Sequence, residues 1–418
     1  MNIHAQFHDD KPSSRELVER YCAATENGKF QETTTHIAKD FGIPQHRLAA
    51  TVREVATLTR DDIQCIVCGA YYPVANRNDM TQNASVIKRG SDWICGRCQE
   101  DAKQQEAEEL EESLWESLHD YQRIGNDVNS LPVEQSVRLL ALLKHSADES
   151  LTQIHPVSHN RIDTLAASEN HEIDLASSLL AARVIAISPY SPAGTVEINQ
   201  EAHGHRYHPR HVAWELTTYP DAEAALIMVG GIDGPAVYRK LDERLSSTAF
   251  LEAHQDAVRE IAHRAAKEEV LAYLELCLTE RGLPFRVGEK TEHVLTIAMQ
   301  NYSIGQVFAI IWRAARSASD YLVRSGCPKR QAANVVPGAM ESFMQRALGN
   351  GWNVDPFKRP GKQAQSVLSR VVFNQILGLP DGAFSFNLPV SQIVDQQIAQ
   401  RLDDAGEPNT SLDPVPSS

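Results

Sequence analysis

Four cysteines in two pairs constrain this chain more than any other stretch. They are Cys65-Ile66-Val67-Cys68-Gly69 and, after twenty-six intervening residues, Cys95-Gly96-Arg97-Cys98. Two Cys-x-x-Cys pairs supply four thiolates, the full tetrahedral shell of a structural zinc, and the residues between them suffice for a small β-hairpin that brings the pairs together. The expectation is a closed zinc site with Cys65, Cys68, Cys95 and Cys98 as ligands; the alternative is a set of free or transiently oxidised thiols. With all four positions filled by protein, no place is left for water or substrate, so catalysis at this metal is not expected.

Gly69 follows the first pair and is able to turn the backbone so that amides face the sulfurs. The second pair runs into Gln99-Glu100-Asp101-Ala102-Lys103-Gln104-Gln105-Glu106, a series of good helix formers. A knuckle, a hairpin and a second knuckle at a helix start resembles the treble-clef group of four-cysteine zinc fingers, including the zinc-binding domain of the Clp unfoldase family. That resemblance covers residues 65–98 and implies the ligands, not the function.

A chain of 418 residues exceeds what a single core usually supports, so several domains are expected. The formal net charge of −15 opposes binding to a polyanion over the whole surface, so any nucleic-acid contact has to be local. No stretch has the length and apolarity of a membrane span, and the start, Met-Asn-Ile-His-Ala-Gln-Phe-His-Asp-Asp, lacks a basic, then apolar, leader. A cytoplasmic protein without a membrane partner is the expectation. Cys22, Cys277 and Cys327 are scattered singly, as in reducing compartments, and no disulfide is expected.

Ser13-x-x-Glu16 has the form of a capping box and opens a helix with Leu17, Val18, Tyr21 and Cys22 inward, closed by Asn27-Gly28. The run from Thr34 to Arg53 resembles the helix-turn-helix of bacterial transcription regulators. Ala38 is the small residue at the helix crossing, Gly42 the turn, and Ile37, Phe41, Ile43, Leu48 and Val52 the buried positions. Pro44 suits the first turn of the second helix. The resemblance implies double-stranded DNA as partner, with Gln45, His46 and Arg53 reading base edges and Arg47 meeting phosphate. A three-helix domain packed on another protein is the competing reading of the same residues.

Residues 60–64 read as a short acidic link. Between the cysteine pairs, Tyr71, Tyr72, Val74, Val86, Ile87 and Trp93 form a mini-core for the hairpin, with Lys88 and Arg89 near its end. The helix after the second pair carries six glutamates from Glu106 to Glu116 and a narrow seam of Leu110, Leu114, Trp115 and Leu118, which suits a connector that also pairs subunits. Further on, a helix over 172–183, strands at 184–187 and 195–198 around a proline-rich turn, and a third strand at 211–216 are similar to the end of a winged helix. His203, His205, His208 and His211 lie within nine residues; a solvated loop is favoured there over a metal or phosphate site. From Asp221 the pattern is helical. Phe250–Arg281 reads as one amphipathic helix and Ser303-x-x-Gln306 caps an apolar helix with inward positions to Leu322, while the 349–360 loop reads as an ordered connection pinned by Trp352 and Phe357, with a recognition loop as the alternative. A final helix follows at 366–377.

The fold expected is therefore mainly α and multi-domain. Its parts are a helix-turn-helix domain at 13–60, a four-cysteine zinc finger with connector helix at 61–125, and a small α+β domain of winged-helix type at 130–220. A helical domain at 221–402 and a disordered tail at 403–418 complete it. Phosphate-binding, dinucleotide, nucleophile-elbow and His-Glu-x-x-His motifs are missing from the text, and no catalytic residue is assigned; the acid pairs Asp163 with Glu169 and Glu268 with Glu269 read as ordinary surface charges. The function expected is that of a zinc-stabilised DNA-binding regulator or adaptor whose helical body contacts protein or itself. The alternatives are a protein-interaction scaffold without DNA binding, or an enzyme of nuclease or toxin type with its site in the C-terminal half.

Overall fold

The computed structural model describes residues 3–25, 29–81, 93–160, 162–199, 204–227 and 231–406. Asn27-Gly28, Val86, Ile87, Lys88, Arg89, His203 and the tail from 407 lie outside the described residues. The chain is mainly helical with small sheets. It divides into two compact units, Met1–Glu109 and Leu110–Ser418.

In the first unit, β1 (Ile3–Phe7) is followed by α1 (Pro12–Cys22), α2 (Thr34–Asp40), α3 (Leu48–Val55), β2 (Ala56–Gln64), β3 (Tyr71–Pro73) and α4 (Arg77–Thr81). β2 is the central strand, antiparallel to β1 on one side and to β3 on the other. Three helices cover the sheet with Leu17, Val18, Tyr21, Ile37, Leu48 and Val52, all buried. α2 starts on Thr33, whose hydroxyl accepts from the His36 amide. Gly42 sits at φ 65° between α2 and α3, a left-handed turn that favours glycine. Pro44 does not enter an α-helix directly: residues Gln45–Arg47 form a 3-10 turn, and α3 begins at Leu48.

The 60–64 segment is no linker. It is the second half of β2, where Arg60 and Ile63 are buried while Asp61 and Asp62 face out. Arg60 is tolerated inside because Nε and Nη2 are bonded to the Asp62 carboxylate at 2.9 and 2.6 Å and Nη1 donates to the Met80 carbonyl. Arg77 is the other buried cation of this unit. It donates to the carbonyls of Tyr21 (2.8 Å), Glu32 (2.6 Å) and Arg20 (3.3 Å) and lies over the rings of Tyr21 and Phe30.

α5 (Gly96–Arg123) spans the boundary between the units. Every residue from 99 to 109 is exposed, so this part has no apolar face to bury and is sustained by propensity and by pairs one turn apart, such as Gln104–Glu108 at 2.9 Å and Gln105–Glu109 at 3.0 Å.

The second unit contains α6 (Val133–Ser146), β4 (Gln153–Ile154), α7 (Glu169–Ala181), β5 (Ile185–Ile187), β6 (Val196–Asn199), β7 (Gly204–Tyr207) and β8 (Trp214–Leu216). After these come α8 (Ala222–Ile227), α9 (Gly234–Ser246), α10 (Thr248–Ala253), α11 (Gln255–Thr279), α12 (Glu289–Asn301), α13 (Ile304–Ser325), α14 (Lys329–Ala333), α15 (Val336–Gly349) and α16 (Val390–Gly406). One hydrophobic core runs from Leu114 to Ile398 and draws on both the 130–220 and the 221–402 spans.

The winged-helix expectation for 130–220 is corrected by strand pairing. β5 pairs with β8 in the order β4-β8-β5, whereas β6 pairs with β7 in a separate two-stranded sheet, so the proline-rich turn joins two sheets and makes no wing. Glu172, in the helix expected over 172–183, is buried and accepts from Arg210 Nε at 2.7 Å and from the Leu165 amide. The long helix over 250–281 is broken at His254 into α10 and α11. α13 starts at the expected Ser303/Gln306 capping box and ends at Gly326 in the left-handed region. Tyr273 of α11 stacks on Phe308 of α13 at 3.9 Å.

Two features of this unit were not expected. Glu269 is buried and paired with Arg359 at 2.9 Å; Arg359 also holds Asp381 at 2.9 Å, where Asp381, Gly382 and Ala383 are all left-handed. The final helix also differs: after Ser366–Ser369, residues Arg370–Ile376 are wound as a π-helix. Arg370 is tied to Asp163 at 2.7 Å, and Arg401 of α16 donates to the Gln375 carbonyl at 3.1 Å and to that of Ile376.

Glu268, next to the buried Glu269, faces a 30 Å³ cavity shared with Glu134, Arg138, His171, Asp174 and Arg264. Burial raises its carboxyl from 4.5 to about 7, more than Arg264 and Arg138 lower it, and burial also lowers His171, so burial works against charge on both partners of the 3.4 Å His171–Glu268 contact. An acid raised in the folded state stabilises fully below its unfolded pKa and loses that contribution as pH rises through the folded one. Glu268→Gln should therefore match wild type near pH 4 and exceed it above pH 7 by up to about 3 kcal/mol, read by urea denaturation across pH.

Candidate metal centre

The cysteine site is built from two short structures of the first unit. β2 runs directly into Cys65, and the chain turns back through Cys68 and Gly69 into β3, so the first pair occupies the tip of a β-hairpin. Among the described residues between the pairs, Tyr71–Pro73 is strand and pairs with β2, which precedes the first cysteine; residues 82–92, where the expected hairpin continues, lie outside the described residues. The turn is closed by Gly69 N–H to the Cys65 carbonyl (2.9 Å) and Cys65 N–H to the Ala70 carbonyl (2.8 Å), with Gly69 at φ 71°. The second pair straddles the start of α5. Ile66 N–H donates to the Trp93 carbonyl at 3.0 Å and the Tyr72 and Trp93 rings meet at 5.0 Å, which joins the two halves.

All four sulfurs lie within 4.8 Å of one another. A tetrahedral ion with metal–sulfur bonds of about 2.3 Å places its ligands about 3.8 Å apart. The Cys68–Cys95 separation of 3.6 Å is close to that value and far beyond the roughly 2.05 Å of a disulfide. Cys65 and Cys98 are buried, Cys95 is half-buried and Cys68 is exposed, so the cluster is closed on one side and reachable on the other.

Local dipoles favour charge on sulfur. Burial opposes ionisation of Cys65, but the amides of Cys68, Cys95 and Val67 outweigh it and hold the thiol at about 6. The Cys95 amide donates to Cys65 Sγ at 3.3 Å and the Cys98 amide to Cys95 Sγ at 3.4 Å. Cys98 is pushed up strongly by its bonds with Cys68 and Cys95 and then by burial. Four sulfurs this close cannot all ionise without a cation between them, and a set of four cysteines so arranged is suited to holding a metal ion.

The residues expected to meet DNA lie in the same unit. Gln45, His46, Arg47 and Arg53 are all exposed, while Leu48 and Val52 beneath them are buried. Arg47 has an exposed ion pair with Glu54 at 3.4 Å. Asp40, the other nearby acid, is held with Glu32 by Arg20 at 2.6 Å. Glu32, His36 and Asp40 also come close enough to ligate a cation, but the Arg20 guanidinium already occupies both carboxylates.

The histidine run is a solvated turn only in its second half, where His208 and His211 are exposed. Gly204–Tyr207 is β7, where His205 is half-buried beside Ser113 at 3.1 Å, and beyond it His208 stacks on His211 at 4.6 Å. Among the described residues none of these histidines belongs to a group able to hold a metal. Sequence reading also missed a serine–histidine–carboxylate series, Ser168 Oγ to His171 Nδ1 at 2.9 Å and on to Glu268. Ser168 is the N-cap of α7 and accepts the His171 amide, and the adjoining cavity of 30 Å³ is too small for an organic substrate.

No protein-family model, no curated protein and no solved structure matches the chain. No helix among the described residues is long and apolar enough to cross a membrane.

The purified chain should carry one metal ion per molecule by plasma emission spectrometry. Cys95→Ser should lose it, His205→Ala should keep it, and a thiol titration after chelation should release four reactive groups in this unit. A full metal complement in Cys95→Ser would place the ion elsewhere.

Proposed function

We propose that this protein is a zinc-stabilised DNA-binding regulator or adaptor whose first unit docks a helix-turn-helix on duplex DNA. The observation that carries the reading is the arrangement of α2, the Gly42 turn and α3. Of its inward positions Ile37, Leu48 and Val52 are buried and Phe41 and Ile43 half-buried, while Gln45, His46, Arg47 and Arg53 are left to solvent. In that role Gln45 pairs with an adenine edge, Arg53 with guanine, His46 stands between them and Arg47 takes a phosphate. The pairing of Asp40 with Arg20 supports it, because an acid beside the reading face is already neutralised.

Zinc is the ion that four cysteine sulfurs in a closed tetrahedral set favour, and when bound it supplies cross-linking charge, not catalysis. The chain's own part is to hold those sulfurs at the end of β2, the strand that directly follows α3, so that the cross-link braces the helix pair. The large second unit, with its separate core, is the body that contacts protein.

The test is duplex binding by the full chain to a randomised pool at low salt. Affinity should fall linearly with log salt, and Arg53→Ala should cost about 1–3 kcal/mol and relax base preference. Arg47→Ala should weaken all sequences alike. Failure of the wild-type protein to retain any duplex would replace this reading with that of an interaction scaffold.

A further inference from the structure

The net charge of −15 is unevenly distributed. Residues 281–362 hold twelve Lys and Arg against five Asp and Glu, a net +7, which leaves −22 on the remainder. This span includes α12 to α15 and the loop after them, all within the second unit.

The cations there are interleaved with rings. Arg281, just after α11, and Arg316 of α13 lie over the Trp312 ring at 6.0 and 5.8 Å, and Arg313 of α13 lies over Phe343 of α15 at 5.0 Å. Phe343 in turn meets Trp352 at 6.5 Å, and Trp312 meets Phe357 at 6.0 Å. Since Trp312 and Arg313 are neighbours in sequence, the two sets adjoin. The loop that brings Trp352 and Phe357 is fixed: Trp352 N–H bonds to the Ala347 carbonyl at 2.8 Å, Phe357 N–H to the Gly305 carbonyl at 2.9 Å, and Gln306 to the Val354 carbonyl at 2.9 Å. Gly305 permits this approach, since a Cβ there would lie 2.8 Å from the Phe357 oxygen.

These guanidinium groups are not used in ion pairs. Among the described residues, Arg281, Arg313, Arg316, Arg324, Arg330 and Arg346 have no carboxylate within 4.0 Å, in contrast to Arg20, Arg138, Arg210, Arg259 and Arg359. Arg313, Arg316 and Arg324 follow one exposed stripe of α13 whose single acid is Asp320, and Trp352 is 51% exposed. A guanidinium resting on a ring loses rotamer freedom in advance while its N–H donors stay free, which suits phosphate oxygens. A half-exposed indole next to it offers a flat face to a base.

We propose that α13, α15 and the 352–358 loop form a binding surface for single-stranded nucleic acid, with Arg313, Arg316 and Arg346 on phosphates and a base stacked on Trp352. Alternating cations and rings match a strand that alternates phosphates and exposed bases. A duplex hides its base faces, and an acidic peptide would satisfy the cations but leave the indole face unstacked. This surface is independent of the helix-turn-helix reading.

The test uses the full chain and anisotropy of a labelled oligodeoxythymidine about 20 nucleotides long. Arg313→Glu with Arg316→Glu should weaken binding at least about tenfold and flatten the salt dependence. Arg346→Glu, at an exposed position, should weaken it alone, and it keeps the question open to measurement if the double variant misfolds. Trp352→Ala should weaken oligonucleotide binding about tenfold while leaving inorganic polyphosphate binding unchanged, and Trp352→Phe should restore it. Arg47→Ala and Arg53→Ala should leave this binding as in wild type, which separates it from duplex recognition. The proposal is overturned if wild type does not bind the oligonucleotide, or if folded charge-reversal variants bind as well as wild type. An unaffected Trp352→Ala would equally reject it, leaving a charged surface of the kind that docks acidic protein.

Discussion

The first unit depends on a single strand. β2 is hydrogen-bonded on both edges, packs Ala56 and Leu58 against the helices, and ends at Gln64, one residue before Cys65. Folding the helices thus delivers one cysteine pair, and closing the cysteine site pins the far end of the central strand. A buried arginine lies on each side of this path, Arg60 within the strand and Arg77 just after β3, and each is satisfied by hydrogen bonds rather than by solvent. Helical layer and cysteine site therefore form one cooperative structure, although the sequence reads as two modules in tandem.

That tandem reading illustrates what was legible. Cys-x-x-Cys spacing is a local signal with a strong chemical meaning, and the four sulfurs do come together. Gly42, Ile37, Leu48 and Val52 were likewise readable, because a turn glycine and helical spacing are local patterns. β2 was missed because its second half, Arg60-Asp61-Asp62, is charged, and a charged triplet reads as a linker unless one sees that the arginine is buried on its own aspartate. The pairing of β2 with β3 around the first cysteine pair was missed as well, because it leaves no mark in either segment.

In the second unit the failures are of one kind. Strand partners cannot be read from alternation, so β5 and β6 were joined across a turn that in fact separates two sheets. Buried charges were read as surface charges: Glu268 and Glu269 look alike in a helical sequence, and only a small cavity and Arg359, from a distant part of the chain, distinguish them. Helices with strong apolar periodicity and explicit caps, above all α13, were legible to within a residue or two. The cationic stripe on that helix was visible as letters, but its freedom from carboxylates is a property of three dimensions.

The π-wound segment at 370–376 carries a consequence for how this chain tolerates change in length. Its entry is anchored by Arg370 to Asp163, and its exit carbonyls are claimed by Arg401 from the C-terminal helix. A wide turn fastened at both ends stores one extra residue per circuit, so insertions or deletions there have nowhere to be absorbed. Drift in loop length should accumulate elsewhere, and the last helix acts as the clasp on a segment threaded well before it.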